Sequence, residues 1–219
     1  MAKLTVQSLK EIMTTRRYVR VAAVVVFSLL IVGLFYCPWF GAYQVHAPEK
    51  SDQPLEVKGP LMDESLPVHL KIPSANIDAD FSAPLGLAAG GEIEVPKDYE
   101  SVAYYKNGPT PGEAGPAVVL GHVDSVDGPA AFFSLGQTKV GDEILVERAD
   151  GTVATFAITE LERNKQSSFP TVKVYGDVDH AGLRLITCTG IYDHDQLRYS
   201  HNLIVYAKLV STSTVKKQE

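Results

Sequence analysis

The segment Leu183–Gly190 has the sequence LRLITCTG, in which an apolar run ends at a cysteine and a polar, glycine-containing stretch follows. A run of this kind predicts a buried β-strand that ends near Cys188. Because side chains alternate along a strand, Arg184, Ile186 and Cys188 would share one face. A thiol at the end of a buried strand is held firmly and still borders a loop, where substrates have access. The segment therefore places a candidate reactive cysteine at a strand end.

A second segment, Val118–Ser125, has the sequence VVLGHVDS and a similar organisation. An apolar strand ends, Gly121 removes side-chain bulk, and His122 follows. If the two strands are neighbours, Cys188 and His122 form a thiol–imidazole pair, in which the histidine acts as a base or, when protonated, stabilises the thiolate. The alternatives are a structural histidine and a cysteine that packs as a small apolar side chain.

A third requirement is a donor for the negatively charged oxygen that forms when a thiolate attacks an amide. Arg198 follows the cysteine by ten residues, just before the last apolar run, and its guanidinium carries several donors and a permanent charge. Arg184 is the second candidate, although its place four residues before Cys188 favours a packing role. The alternative for Arg198 is a solvated surface arginine.

Short apolar or β-branched runs alternate with turn signals over much of the chain. Asp150-Gly151 between two such runs predicts a β-hairpin with a type I′ turn. Helical periodicity is scarce and suggests only a turn or two around Pro129–Leu135. The runs are Val68–Ile72, Ala117–Leu120, Glu143–Arg148, Thr152–Thr159, Leu183–Thr187 and Leu203–Val210. Their number and spacing predict an all-β fold, as a closed barrel or a sandwich.

The N-terminal region differs in charge and hydropathy from the rest. Residues 1–36 carry five basic side chains and one acidic one, a net +4, so the chain's total of −6 leaves −10 for the remainder. Val21–Phe40 is almost wholly apolar, would span about 30 Å as a helix, and ends in aromatic residues that suit a membrane interface. We expect residues 1–20 in the cytoplasm, a single transmembrane signal anchor over 21–40, and the remainder outside the cell membrane. A cleaved signal peptide that ends near Ala47 is the alternative.

The remainder divides into a linker, a domain and a tail. Proline and charged residues without apolar periodicity over 41–67 predict an extended extracellular linker. One compact domain would follow over 68–210, and a polar, frayed tail over 211–219. Its acidic balance argues against nucleic acid as a partner. The composition, 45% apolar and 21% charged, excludes collagen-like, coiled-coil and disulfide-scaffold classes.

The cysteines and acidic stretches suggest no cofactor. The only cysteines are Cys37 in the predicted membrane segment and Cys188 in the domain, so we expect no disulfide between them. A thiol–disulfide oxidoreductase is disfavoured because no Cys-x-x-Cys pair is present. The acidic stretches near His180 and His194 lack organised ligand spacing, so we expect neither a metal nor another cofactor.

These segments and several shorter motifs, in the same order, resemble the sortases and most closely those of class F. The motif ITC ends a strand, GHVDS stands upstream, and an arginine precedes the final run. The shorter motifs are LGL at 85–87, EVP at 94–96, GPAV at 115–118, GPAAFF at 128–133, FPT at 169–171 and VYG at 174–176. The resemblance covers residues 68–209. One departure is Ser200, since class F sequences often have an arginine at that position.

The resemblance implies a closed eight-stranded β-barrel with short helices that acts as a cysteine transpeptidase. Such enzymes cleave an LPxTG-like sorting signal between Thr and Gly, hold the acyl group as a thioester, and pass it to an amine. By resemblance, Cys188 is the nucleophile, His122 the general acid/base, and an arginine, here Arg198, the oxyanion donor. The residues expected to shape the substrate pocket are Thr187, Gly121, Asp124 and Ser125.

The implied partners are secreted proteins with LPxTG-like sorting signals, and an amine on a peptidoglycan precursor or a pilin. The alternative is a non-catalytic or hydrolytic binding module on the same barrel, because a fold does not fix a function. The departure at Ser200 keeps this alternative open.

Overall fold

The computed structural model describes residues 56–215, which form ten strands, one short helix and three 3₁₀ turns. The strands are β1 Pro67–Ile72, β2 Ile77–Asp80, β3 Ala103–Tyr104, β4 Gly115–Leu120, β5 Asp124–Ser125, β6 Gly128–Pro129, β7 Glu143–Arg148, β8 Thr152–Lys165, β9 Ala181–Asp193 and β10 Arg198–Thr214. Eight of them form one sheet in the order β2-β1-β7-β8-β10-β9-β4-β3, while β5 and β6 form a separate hairpin. The expected all-β class with an eight-stranded sheet is confirmed.

The long strands β8, β9 and β10 form the centre of the sheet. β10 pairs antiparallel with β8 on one side and with β9 on the other, and β4 pairs parallel to β9. The first seven residues of β9, Ala181–Thr187, are buried, as expected for an apolar run covered on both faces. β4 and β9 run in the same direction, and β4 ends opposite Ile186, while β9 continues to Asp193.

The sheet is curled into a half-barrel, so the expectation of a closed barrel is wrong. The edge strands are short, four residues in β2 and two in β3. Beyond them, isolated bridges such as Phe81–Val102 are the contacts that link the two edges. The chain between these bridged residues follows turns and bends and forms no continuous strand. Backbone hydrogen bonds do occur there, such as those from the Ser82 amide to the Val102 carbonyl at 2.8 Å and from the Leu85 amide to the Tyr104 carbonyl at 2.9 Å, but they belong to isolated bridges and form no continuous ladder.

Two apolar clusters pack on the two faces of the sheet. The larger draws residues from both ends of the strand order, so it lies inside the curl; it includes Leu70, Phe132, Phe156, Leu185 and Val205. The smaller consists of Val118, Val174, Ile186, Ile204 and Tyr206. Its strand residues alternate with those of the larger cluster on β4, β9 and β10, and we call this side the outer face. Helix α1, Thr171–Tyr175, contributes Val174 to the outer face.

The predicted hairpin at Asp150-Gly151 is confirmed, since β7 and β8 pair antiparallel on either side of it. The loop also contains Ala149, and only Gly151 has a positive φ, of 79°. The turn is therefore a three-residue loop and not the expected type I′ turn. The helical turn expected near Pro129–Leu135 is displaced to a 3₁₀ turn at Leu135–Gln137.

The ends of the domain extend further than the sequence predicts. In the second half of the predicted linker, the Lys58 amide donates to the Asp179 carbonyl at 2.6 Å, and the Met62 amide donates to the Gly112 carbonyl at 2.9 Å. At the other end, Ser211–Thr214 continue β10 and pair with Thr152–Thr155 of β8, so these four residues are not a frayed tail. Backbone pairing overrides the polar composition at both ends.

The predicted cytoplasmic segment 1–20, the membrane anchor 21–40, the first part of the linker and residues 216–219 lie outside the described residues. Within residues 56–215, no helix combines the length and the apolar character that a membrane span requires.

Candidate active site

The parallel pairing of β4 with β9 brings the end of β4, which His122 follows, to the level of Cys188 on the neighbouring strand. The expectation that the strand ends near Cys188 is wrong, because β9 continues to Asp193 through its pairing with β10. The last paired residues are Leu120 and Ile186, and the Gly121 amide donates to the Ile186 carbonyl at 3.2 Å. His122 and Cys188 each lie two residues beyond that pair. Cys188 is on the outer face of β9, whereas His122 lies just after the end of β4. Neighbouring strands are about 4.8 Å apart. This arrangement allows a thiol and an imidazole to act as a pair.

The His122 imidazole is oriented by two contacts. Its Nε2 donates to the Pro96 carbonyl at 2.8 Å, and its ring centroid lies 4.7 Å from that of Tyr99. A carbonyl oxygen only accepts, so Nε2 carries the hydrogen and the neutral ring has its lone pair on Nδ1. Nδ1 is therefore the nitrogen that is available to accept a proton.

Gly121 allows the turn between β4 and His122 to pack closely. A Cβ atom at this position would lie 2.6 Å from Cδ2 of the Phe132 ring. The Phe132 amide in turn donates to the His122 carbonyl at 2.9 Å. Gly121 thus positions the histidine backbone through the buried Phe132, which is a structural contribution to the site.

Cys188 is half-buried, and burial, followed by the charge of Asp124, raises the pKa of its thiol. Asp124 also accepts a hydrogen bond from the Tyr199 hydroxyl, and this bond is the main reason why the pKa of Tyr199 is raised to about 12. Asp124 therefore links the segment after His122 to the start of β10. The environment favours the protonated thiol, so attack on a substrate requires a base.

The other residues expected to bind substrate occupy different environments. The Ser125 hydroxyl donates to the Gly128 carbonyl at 3.4 Å and accepts from the Asp127 amide at 3.1 Å, so it stabilises the β5–β6 turn. Thr187 is 5% exposed and pairs with Leu203 of the inner cluster. Its side chain therefore faces away from the outer face, where the Cys188 thiol lies.

The β9–β10 pairing separates Arg198 from the cysteine and brings Asn202 to it. Arg198 pairs with Asp193 and is exposed, whereas Asn202 pairs directly with Cys188. Directly opposite residues of an antiparallel pair point to the same face, with Cβ atoms about 5 Å apart. The sequence places Asn202 on the same face as Arg198, but it does not reveal which residue lies opposite the thiol.

A bulge in β9 sets this register and gives Ser200 a structural contact. The pairing shifts between Tyr199 and His201, and Gly190 has φ of 90°. A Cβ atom on Gly190 would lie 2.5 Å from Oγ of Ser200, which itself accepts from the Ile191 amide at 2.9 Å. The small serine therefore fits the bulge that a larger side chain would crowd.

Arg184 pairs with Tyr206 and is buried, four residues before Cys188 on the same face. Four residues of extended strand cover about 13 Å, so this guanidinium is remote from the thiol. Within the part of the chain that the structure describes, no group of three or more His, Cys, Asp or Glu side chains is arranged to hold a metal ion.

Comparisons with known proteins identify the family. Residues 70–210, well over half of the chain, match the model of the sortase domain. The chain therefore belongs to the sortase family, and it is a cysteine transpeptidase. None of the curated protein sequences matches it significantly.

Solved sortase structures share the fold. Sortase A of Listeria monocytogenes is 16% identical, with a TM-score of 0.52, over 71% of this chain and 93% of that one. Sortase C1 of Streptococcus agalactiae is 21% identical, with a TM-score of 0.52, over 72% of each chain. Sortase C-3 of Streptococcus pneumoniae is 20% identical, with a TM-score of 0.50, over 69% of this chain and 66% of that one.

Proposed function

We propose that this transpeptidase cleaves an LPxTG-like sorting signal between Thr and Gly and transfers the acyl group to an amine. The observation that supports the proposal is the parallel β4–β9 register, whose last pair, Leu120 and Ile186, lies two residues before His122 and Cys188. The chain is proposed to be a class F sortase, on the ordered motifs that surround these two residues.

The chemistry is two acyl transfers through Cys188. His122 accepts the thiol proton, and the thiolate attacks the threonine carbonyl to form a tetrahedral oxyanion. The intermediate collapses with loss of the glycine amine, to which the imidazolium returns the proton, and a thioester remains on the sulfur. An acceptor amine then attacks the thioester, gives its proton to His122 and releases the thiol. The acceptor must be bound close to the thioester so that water competes poorly.

Asn202 is the donor that the geometry favours for the oxyanion. Nε2 of Gln166 donates to Oδ1 of Asn202 across a long hydrogen bond of 3.5 Å, which leaves Nδ2 of Asn202 as the free donor opposite Cys188. Arg198 pairs with Asp193, which lies five residues after Cys188 on β9, or about 16 Å along an extended strand. The role of Arg198, which the resemblance implies, stays a prediction that competes with Asn202.

The proposed location and partners follow from the rest of the sequence. We propose that residues 21–40 anchor the chain in the cell membrane, with the N-terminus in the cytoplasm and the domain outside. The substrates would be secreted proteins that carry the sorting signal. The acceptor would be an amine of a peptidoglycan precursor or a pilin.

The test is capture of the thioester on the full-length chain. Incubation with an LPxTG-type peptide should add the mass of the fragment that ends at Thr to the peptide containing Cys188, as measured by mass spectrometry. Cys188→Ala should give no adduct and no cleavage, whereas Cys37→Ala, the matched cysteine control, should keep both. Undiminished cleavage by Cys188→Ala would sink the proposal.

The products distinguish transfer from hydrolysis, which is the remaining alternative. With an added amine, the proposal expects the threonine fragment to appear mainly as an amide. Release mainly as the free acid over a range of amines would instead indicate a hydrolase.

A further inference from the structure

Asp124 is a partly exposed carboxylate at the candidate active site. It lies two residues after His122, at the start of β5. Its Oδ2 accepts a hydrogen bond from the Tyr199 hydroxyl. Among residues 56–215, no lysine, arginine or histidine lies within ion-pair distance of this carboxylate. The charge of Asp124 therefore remains available to a cation that enters the site from solvent.

The contact with Tyr199 holds Asp124 close to the cysteine. Tyr199 precedes Asn202 by three residues on β10, and Asn202 pairs with Cys188. The ring of Tyr199 packs in turn against that of Tyr192 on β9, with centroids 5.1 Å apart. Asp124 is near enough to Cys188 for its charge to raise the pKa of the thiol. A supported tyrosine hydroxyl thus orients a carboxylate that acts directly on the candidate nucleophile.

The charge of Asp124 has opposite effects on the two acyl transfers of the proposed mechanism. The first transfer requires a thiolate, which a neighbouring anion disfavours. The second starts from an uncharged thioester and an amine. At neutral pH a primary amine is mostly an ammonium ion, because its pKa is about 8 for an α-amino group and about 10 for a lysine side chain. A neighbouring anion attracts that cation. Asp124 therefore works against the first transfer and in favour of the second.

We propose that Asp124 binds the ammonium group of the amine acceptor beside the Cys188 thioester. This inference rests on the proposed function and names the side chain that concentrates its second substrate. The bound ammonium loses one proton to solvent, and the amine lone pair then attacks the thioester carbon. The C–N bond forms and the C–S bond breaks, while a second proton of the amine passes through His122 to the departing sulfur. An amine held near the carbon that it attacks competes well with water.

The first test probes the cation site through Cys188 and needs no peptide substrate. The two reagents are 2-aminoethyl methanethiosulfonate, an ammonium ion, and methyl methanethiosulfonate, which is uncharged; the thiolate displaces methanesulfinate from both. Mass spectrometry of the peptide that contains Cys188 gives both rates on the full-length chain at neutral pH. Because both reagents consume the same thiolate, the ratio of the two rates does not depend on the pKa of the thiol.

The cationic-to-neutral rate ratio should be about fivefold lower in Asp124→Asn than in the wild type, as the loss of one ion pair at a partly exposed site provides. Asp127→Asn, a matched control that is exposed on the same β5–β6 turn, should keep the wild-type ratio. An equal ratio in Asp124→Asn and the wild type overturns the inference.

A measurement on the wild-type chain by itself guards against a variant that fails to fold. At equal ionic strength, ethylammonium in place of sodium should slow the cationic reagent more than the neutral one, because it competes for the carboxylate. Equal slowing of the two reagents also overturns the inference.

The second test asks whether the bound cation is the acceptor. With an LPxTG-type peptide, the glycinamide concentration that gives half-maximal amide product should be about fivefold higher in Asp124→Asn. The corresponding concentration of hydroxylamine, which is mostly uncharged at neutral pH, should not change. An unchanged value for glycinamide overturns the acceptor assignment. If the wild-type chain cleaves no peptide, the proposed function has failed and the acceptor assignment fails with it, whereas the thiosulfonate ratio still shows whether Asp124 holds a cation.

Discussion

At the scale of single residues, the negative charge of Asp124 disfavours ionisation of the Cys188 thiol. Burial and the Asp124 charge both raise the pKa of the thiol, so at a given pH less of it is thiolate. A preformed thiolate is therefore not the resting state that this environment favours. The assignment of His122 as a base, with Nδ1 free to accept the proton, fits a thiol that ionises only when it reacts.

Replacing Asp124 with asparagine should make the thiol more acidic. Because the aspartate charge raises the pKa of Cys188, its removal lowers that pKa, and the thiolate then forms at lower pH. The rate of alkylation by iodoacetamide, measured against pH, should have its midpoint at lower pH in Asp124→Asn. Asp127→Asn on the exposed β5–β6 turn is the control and should behave as the wild type. An unchanged or higher midpoint in Asp124→Asn would contradict the electrostatic account.

Measurements of kcat for two variants distinguish Asn202 from Arg198 as the oxyanion donor. If Asn202 donates to the oxyanion, Asn202→Ala should lower kcat by ~10²-fold with little change in KM, since the bond forms in the transition state. Arg198→Ala should remain within about twofold of the wild type, as is usual for an exposed side chain remote from the reaction. The reverse pattern would return the role to Arg198, and circular dichroism of both variants checks that the fold is retained.

At the scale of elements, the turn after β4 depends on the absence of a side chain at Gly121. Gly121→Ala should push the Phe132 ring or the turn aside and destabilise the domain by about 1–3 kcal/mol, the usual cost of overpacking. It should also lower kcat, because the backbone of His122 is hydrogen-bonded to Phe132. Gly90→Ala is the control, since a Cβ atom there meets nothing within 4 Å. Thermal unfolding and kcat measure the two effects, and wild-type stability of Gly121→Ala would refute the packing argument.

The sequence predicts those elements whose pattern is local. β1, β4 and β7 follow their apolar runs closely, and the hairpin follows from Asp150-Gly151. Helix α1 escapes prediction because its five residues are too few for a helical period, and most of its burial comes from Val174. The sequence does not predict that Asn202 lies opposite Cys188, because this pairing depends on a bulge at Gly190 that shifts the register by one residue.

At the scale of the whole molecule, the sequence does not predict whether the sheet closes into a barrel. Eight strands suggest a barrel, but whether the two edges meet depends on contacts between residues that are distant in the chain. Here the edge strands β2 and β3 are short, and isolated bridges replace the ladder. The parallel pairing of β4 with β9 is also non-local. The sequence suggests it only as a condition, because an apolar run precedes each of His122 and Cys188, and it does not reveal that β9 continues to Asp193.

The parallel β4–β9 pair also bears on when the protein becomes reactive. Leu120 and Ile186 are far apart in the chain, and parallel pairs of this kind form slowly because a long loop must be closed. Before that step, the Cys188 thiol has no neighbouring base to accept its proton and reacts as an ordinary thiol. Acyl transfer by the proposed pair therefore requires that these two distant segments of the chain have come together.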